Sequence, residues 1–256
     1  MKLPSSFLEA TYIHAQGIGR ATEQRLWEAG AENWREFLIL PPEDLPLTER
    51  QYAMLLPTVD ESLTRLEQED FSWFAQRLPQ GEHWRAVPSF GHRIAFLDIE
   101  TNGGMNPDDL TVVGLFDGRT MHQFIKGNNL HELPEVLAEA AVIVTFFGSG
   151  FDLPFLRRSF PKMPMPQLHV DLCHLLRRLG YKGGLKSIEA QMGISRSSST
   201  TGLSGMDAVR LWYEYKRGRA ASLETLLKYN EEDVKNMSDL LAEGYRRMSK
   251  SLIMGE

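Results

Sequence analysis

The sequence predicts a mixed β-sheet flanked by helices, preceded by a small all-α domain. Roughly the first eighty residues place apolar side chains three and four positions apart and show no alternating strand pattern. A stretch rich in proline, glycine and polar residues follows at 79–91, and short apolar runs come after it. Because some of these runs alternate with helical segments, we expect an α/β domain. We therefore predict a helical domain over 1–85, a linker at 79–91 and an α/β domain over 86–256.

The helical domain contains a glycine-rich turn, Gly17-Ile18-Gly19-Arg20. It resembles the helix-hairpin-helix element, in which a glycine turn lets backbone N–H groups approach a phosphate closely. The resemblance implies that Gly17, Gly19 and Arg20 contact nucleic acid. A tight turn between two helices of a small bundle explains the same residues equally well, so both interpretations stay open. A dinucleotide-binding loop is disfavoured because the third glycine is missing and no strand precedes the turn.

Five apolar runs predict the strands of the sheet. The first three lie close together and are separated by turn residues at 106–109 and 117–118, so we expect an antiparallel meander. The later runs alternate with predicted helices, which gives the sheet its mixed character. The predicted strands are 93–99, 110–116, 120–125, 141–147 and 168–172.

Helices are predicted at 131–140 and 152–160, before and after the fourth strand, and from residue 185 onward. A run of serine and threonine interrupts the last helical region, and we interpret 195–205 as a mobile loop and a candidate substrate lid. A basic turn precedes it. Lys182 and Lys186 in this turn are candidate contacts to a phosphate backbone, with a plain loop as the alternative.

Composition limits the classes of protein to consider. The chain has 256 residues, 42% of them hydrophobic, which suffices for one large or two smaller globular domains. No segment approaches the roughly 20 apolar residues of a membrane span, and the opening lacks a signal-peptide pattern. We therefore expect a cytoplasmic protein with no membrane partner. The net charge of -6 argues against nonspecific coating of nucleic acid. The segment 157–186 is basic, and solvated helix faces explain it equally well.

Acidic residues in three separate motifs are the candidate functional residues. Asp98 and Glu100 end the first predicted strand, where alternation directs both side chains to one face of the sheet. Asp152 opens a helix after a glycine-rich bend. Tyr229 and Asp233 lie four positions apart on a predicted helix, one turn from each other. Each motif alone is more typical of solvated acids, but together they supply the oxygen ligands that cations such as Mg²⁺ prefer.

A second set of possible metal ligands is His169, Asp171, Cys173 and His174. Strand alternation scatters these side chains over two faces, which disfavours a zinc site. The single cysteine cannot form an internal disulfide and is expected to be a buried thiol. Asp171 is instead a candidate for the outer shell of the acidic cluster.

The order and local spacing of the three acidic motifs resemble those of the ribonuclease H-like 3'-5' exonucleases of the DEDD superfamily. Lys228 occupies the position at which one subclass places a histidine, so the tyrosine subclass, DEDDy, is the better match. The segments IAFLDIETNG, FDLPFL, HVDL, GLKSIEAQMGI and LKYNEEDVKNM further resemble the bacterial YprB-like ribonuclease H-like domain, over roughly 90–245.

This resemblance implies a ribonuclease H-like fold and hydrolysis of single-stranded or overhanging DNA or RNA from the 3' end. It implies that two Mg²⁺ or Mn²⁺ ions are bound by four carboxylates, those of Asp98, Glu100, Asp152 and Asp233. Tyr229 would orient the attacking water, and Thr101 would lie close to the terminal nucleotide.

One position departs from the related motif, which commonly reads Asn-Gly-x-x-Phe-Asp. Phe147 replaces the asparagine, and a phenyl ring cannot donate amide hydrogen bonds to a nucleic-acid strand. This departure keeps open an alternative from a different class, a catalytically silent protein that binds nucleic acid or scaffolds a partner. The complete set of carboxylates favours the enzyme.

Overall fold

The chain divides into two compact units, and the computed structural model describes residues 7–254. The first unit takes in the described parts of Met1–His92 and Ser249–Glu256, together with Pro166–His169. The second unit takes in Arg93–Met165 and Val170–Met248.

The first unit is built mainly from helices, as the sequence predicts. Asn33 caps the second of them through its side chain, and Thr48 forms a capping box with Gln51 at the start of the third. Residues 7–16, directly before the glycine-rich turn, form turns and irregular segments rather than a helix. The helix-hairpin-helix assignment therefore stays a prediction. The helices are α1 (Arg20–Glu28), α2 (Trp34–Ile39), α3 (Glu49–Glu67), α4 (Phe71–Arg77) and α5 (Val87–Phe90).

The prediction of a linker at 79–91 is wrong, because the chain is helical from residue 80 to residue 91 and residues 82–86 are buried. A 3₁₀ helix spans Gln80–Ala86, and α5 follows it directly. Arg85 is fully buried, and its guanidinium pairs with Glu23 at 2.9 Å and with Glu82 at 2.7 Å. The prolines that suggested a linker lie at the starts of these helices, where the missing N–H has no intrahelical partner to lose.

The second unit contains a five-stranded sheet, except for the first two residues of its last strand, which are counted with the first unit. Its strands are β1 (Ile94–Thr101), β2 (Leu110–Phe116), β3 (Met121–Ile125), β4 (Val142–Thr145) and β5 (Leu168–Asp171). The strand order is β3-β2-β1-β4-β5. Antiparallel pairs join β1 to β2 and β2 to β3, whereas β1 and β4 are parallel. The predicted meander and the mixed character of the sheet are confirmed.

The helices of the second unit follow the predicted pattern closely. The predicted helix at 131–140 is a 3₁₀ turn followed by α6, and the one at 152–160 is α7. None of the helices within residues 7–254 combines the length and the apolar character needed to cross a membrane. The helices are α6 (Leu133–Ala138), α7 (Asp152–Ser159), α8 (Leu172–Arg178), α9 (Leu185–Gln191), α10 (Gly205–Lys216) and α11 (Ala220–Met254).

Helices cover both faces of the sheet, and this arrangement sets the direction of the side chains of β1. Its odd-numbered apolar residues belong to a core cluster with residues of α6 and α7. On the other face, Val112 of β2 packs with side chains of α10 and α11. Because side chains alternate along a strand, Asp98 and Glu100 point toward this second face.

Candidate active site

Three carboxylates meet where β1 approaches α11. Asp98, Glu100 and Asp233 each offer a ligand atom, and these atoms lie within 4.8 Å of one another. The regular pairing of β1 with β2 shifts register between Glu100 and Thr101, as is common next to functional sites. The strand motif and the helix motif predicted to share one site are therefore adjacent.

Asp152 joins this group from the start of α7. Its Oδ1 accepts the Ile99 N–H at 3.1 Å, so the backbone between the two strand acids holds it in place. A cavity of about 430 Å³ is lined by all four carboxylates, Tyr229 and Thr101. The structure thus brings together every residue predicted to bind metal or to take part in catalysis. We call Asp98, Glu100, Asp152 and Asp233 the acidic cluster.

Burial disfavours the ionised form of every member of the acidic cluster, and repulsion within the cluster adds to this at Asp98 and Glu100. Burial raises the pKa of Asp98 well above its ordinary value, and the charges of its three acidic neighbours raise it further. The pKa of Glu100 is raised by burial first and then by Asp233 and Asp152. Burial raises the pKa of Asp152 to about 7. A bound divalent cation would replace this repulsion by attraction.

The chemistry of the donor set fits Mg²⁺ or Mn²⁺. Within the described residues, the three side chains whose ligand atoms converge are all carboxylates. Oxygen ligands suit these hard cations, whereas zinc and copper favour sites with imidazole or thiolate. The acidic cluster could therefore hold the ions that the sequence predicts.

Tyr229 is held at the cavity by Lys186. The Lys186 ammonium donates to the Tyr229 hydroxyl at 2.9 Å and lies 4.3 Å from the centre of its ring. Burial, followed by the charges of Asp233 and Glu100, raises the pKa of Tyr229, so the phenol stays protonated. Lys186, predicted in a flexible basic turn, lies instead on α9 and is partly buried.

A buried ion-pair network behind Asp233 was not predicted. Arg196 lies 2.5 Å from an oxygen of Asp233, and the same guanidinium donates to both oxygens of Glu189, at 2.6 and 2.7 Å. Thr200 is also buried and bonds to Glu232. These contacts attach the loop predicted to be mobile to α9 and α11. The sequence gives one weak sign of this network. Glu189 is a charged residue at a position of α9 where the helical pattern predicts an apolar side chain, which indicates a buried partner.

Asn230 was also not predicted, although it follows Tyr229 directly. Its amide donates to Asp98 Oδ2 at 2.9 Å and is fully buried. Gly114, the partner of Asp98 on β2, makes room for it, because an added Cβ would lie 2.0 Å from the Asn230 side-chain oxygen. A glycine within an apolar strand is the sequence signal for such a close approach.

Asp171 accepts hydrogen bonds from the turn after β4. It does not converge with His169, Cys173 and His174 on a metal site within the described residues. It caps α8 by accepting the Cys173 N–H at 3.1 Å. It also accepts the N–H groups of Phe147 at 2.9 Å and Ser149 at 3.0 Å. After burial, its charge is a further cause of the raised pKa of Asp152. The outer-shell role of Asp171 stays a prediction. Cys173 is buried, as predicted.

The remaining predicted nucleic-acid contacts lie outside this cavity's lining. Gly17 has a φ of 80° and Gly19 precedes α1, which is the geometry of a tight turn. Arg20 pairs with Glu82. Lys182 is exposed in the turn before α9. The other basic residues of 157–186 outside α9 are exposed on helices and loops, so the interpretation as solvated faces fits them.

The mixed five-stranded sheet with helices on both faces is a ribonuclease H-like fold. A model of the RNase_H superfamily matches residues 95–244. The chain therefore belongs to the RNase_H superfamily.

Solved structures similar to this chain include a DNA polymerase. The family B DNA polymerase from the hyperthermophilic archaeon Pyrobaculum calidifontis is similar over 59% of this chain, with 16% sequence identity and a TM-score of 0.48. The chain spans 24% of the length of that polymerase. No curated protein matches the sequence.

Proposed function

We propose that this protein is a two-metal-dependent 3'-5' exonuclease of the tyrosine subclass, acting on single-stranded or overhanging DNA or RNA. The observation that carries the proposal is the convergence of Asp98, Glu100 and Asp233 within 4.8 Å, with Asp152 lining the same cavity. Burial raises the pKa of all four acids, and the charges of neighbouring acids of the cluster raise those of Asp98 and Glu100 further, so the four are costly to keep without a cation. A site built for a divalent metal explains their presence.

The acidic cluster would hold two Mg²⁺ or Mn²⁺ ions, which stabilise the attacking and leaving oxygens of a phosphodiester. Tyr229 stays protonated, so it would donate a hydrogen bond to the attacking water or a phosphate oxygen rather than remove a proton. Lys186, 2.9 Å from that hydroxyl, would fix its direction and add positive charge near the phosphate. Asn230 and Arg196 would fix the side chains of Asp98 and Asp233.

A time course with 5'-labelled single-stranded DNA and RNA tests this function. Reactions contain Mn²⁺, Mg²⁺ or EDTA, and wild type is compared with Asp98→Ala. We expect a metal-dependent ladder that shortens from the 3' end and is missing from the variant. Intact oligonucleotides in every lane would overturn the proposal and favour the silent binding or scaffolding protein. The same lanes rank DNA against RNA as substrates. The cytoplasmic location is a separate prediction that this experiment does not test.

Replacing Tyr229 by phenylalanine should lower kcat roughly 100-fold, the usual effect of removing one hydrogen-bond donor from a reacting site. KM should change little, because the ring and its packing stay in place. The alkaline limb of the rate profile should be the same in both proteins, since the pKa of Tyr229 is raised beyond the range of the assay.

Tyr213→Phe is the matched control for this variant. Tyr213 lies on α10 and is 46% exposed, so its hydroxyl has no expected role and the rate should equal that of wild type. Equal rates for Tyr229→Phe and wild type would contradict the role given to Tyr229. A rate ratio that changes with pH would contradict its constant protonation.

A further inference from the structure

Phe147 is exposed beside the acidic cluster in a conformation unusual for its residue type. Its side chain is 48% exposed, and its φ is 63°, in the left-handed region that bulky residues rarely adopt. It lines the same cavity as Asp98 and Asp152. Strained backbone and exposed aromatic surface are both costly, and strained residues concentrate at binding sites.

The turn that carries Phe147 is held rigidly. Asp171 accepts the N–H groups of Phe147 and Ser149, at 2.9 and 3.0 Å, as well as the Ser149 hydroxyl at 2.5 Å. The ring lies against Gly150, where an added Cβ would come within 2.8 Å of it. The ring is therefore presented at the cavity in a fixed position before any ligand binds.

The surroundings of the ring favour a flat, partly apolar ligand. Phe151 and Val209 line the same cavity, and the ring of His174, whose side chain is 56% exposed, lies 6.3 Å from that of Phe147. Nucleobases stack on such aromatic faces regardless of sequence, because every base has a π-face. Base pairing holds a paired terminal base against its partner strand, whereas an unpaired terminal base is free to turn its face onto the ring.

We propose that Phe147 stacks on the base of the 3'-terminal nucleotide and thereby selects strands whose last base is unpaired. This inference rests on the proposed function, since it requires that the 3'-terminal nucleotide binds next to the acidic cluster. Phe147 is then a specificity-determining residue: its ring fixes the position of the terminal nucleotide, and the acidic cluster acts on the phosphate that follows.

A ten-nucleotide DNA with 2-aminopurine at its 3' end tests the stacking directly. Stacking quenches this base, so binding of the wild type in EDTA should lower its fluorescence. Phe147→Asn tolerates a positive φ but has no ring, and Phe147→Trp keeps an aromatic face. We expect no quenching with asparagine, quenching with tryptophan, and no effect of Ile39→Asn, which replaces an 81%-exposed apolar side chain on α2.

The contribution of the base is measured by repeating the titration with an oligonucleotide whose last nucleotide is abasic. The dissociation constant of wild type should rise roughly tenfold on losing the base, within the usual range for one stacked base. Phe147→Asn should bind both oligonucleotides equally and should melt at a higher temperature than wild type, because the backbone strain is relieved.

Stacking and catalysis are judged separately. Quenching that depends on the ring, without shortening of the strand in Mn²⁺, would support stacking and overturn the exonuclease. Shortening by wild type with equal binding of both oligonucleotides, or with quenching unchanged in Phe147→Asn, would overturn stacking and leave the exonuclease standing. Neither quenching nor shortening would overturn both.

Discussion

Asp98→Asn should abolish hydrolysis and at the same time make the metal-free protein more stable. The loss of activity should be at least about a thousandfold, because Asp98 contributes an anionic oxygen to the converging ligand set. The gain in stability follows from the raised pKa of Asp98, which shows that the ionised carboxylate is disfavoured where it lies. A neutral amide of the same shape removes that cost and can still accept the hydrogen bond of Asn230.

The two effects are measured on the same preparations, by Mn²⁺-dependent release of nucleotides and by thermal unfolding in EDTA at pH 8. The gain should appear as a higher melting temperature of Asp98→Asn than of wild type, because the amide carries no charge to bury. Asp239→Asn, an exposed acid on α11, is the control and should leave both quantities unchanged. An inactive Asp98→Asn that unfolds at a lower temperature than wild type in EDTA would mean that Asp98 serves the fold rather than a metal.

Local periodicity accounts for the parts of the site that could be predicted from the sequence. Alternation along β1 places Asp98 and Glu100 on one face, and four-residue spacing on α11 places Tyr229 one turn before Asp233. Both rules act within a single element, so they hold whatever the rest of the chain does. The order of the motifs along the chain resembles that of a known family, and this resemblance predicts that the separate elements meet. Residues of all three motifs line one cavity.

Contacts between distant elements could not be predicted in this way. Arg196 reaches Asp233 and Glu189 from a loop whose serine and threonine content is typical of an exposed segment. Nothing in the local pattern distinguishes a guanidinium that is buried against two carboxylates from one that is solvated. The prediction of a linker at 79–91 was wrong for a related reason. Proline is common at the start of a helix as well as in a linker. The burial of Arg85 depends on its ion pair with Glu23, which lies far away in the sequence.

The stability of the metal-free protein should fall as the pH rises, over a window in which most proteins change little. Carboxyl groups with a raised pKa keep protons that the unfolded chain has already released, so the unfolded state binds fewer protons and the free energy of unfolding decreases with pH. For Asp152 this window runs from 3.8 to about 7. The pKa values of Asp98 and Glu100 are also raised, so these groups act in the same direction. Buried histidines act in the opposite direction: burial lowers the pKa of His14 to about 3 and also lowers that of His83.

A comparison of Mg²⁺ with EDTA isolates the acidic cluster from the histidines, which contribute equally in both conditions. Magnesium binds the ionised carboxylates and removes their cost, so the increase in melting temperature caused by Mg²⁺ should grow steadily from pH 5 to pH 8. Each proton displaced by the metal contributes a slope of about 1.4 kcal/mol per pH unit to the difference in stability. Asp98→Asn should flatten this slope, whereas Asp239→Asn should not. A Mg²⁺ effect that is the same at pH 5 and pH 8 would show that the cation binds somewhere other than these carboxylates, and the metal-dependent function would lose its physical basis.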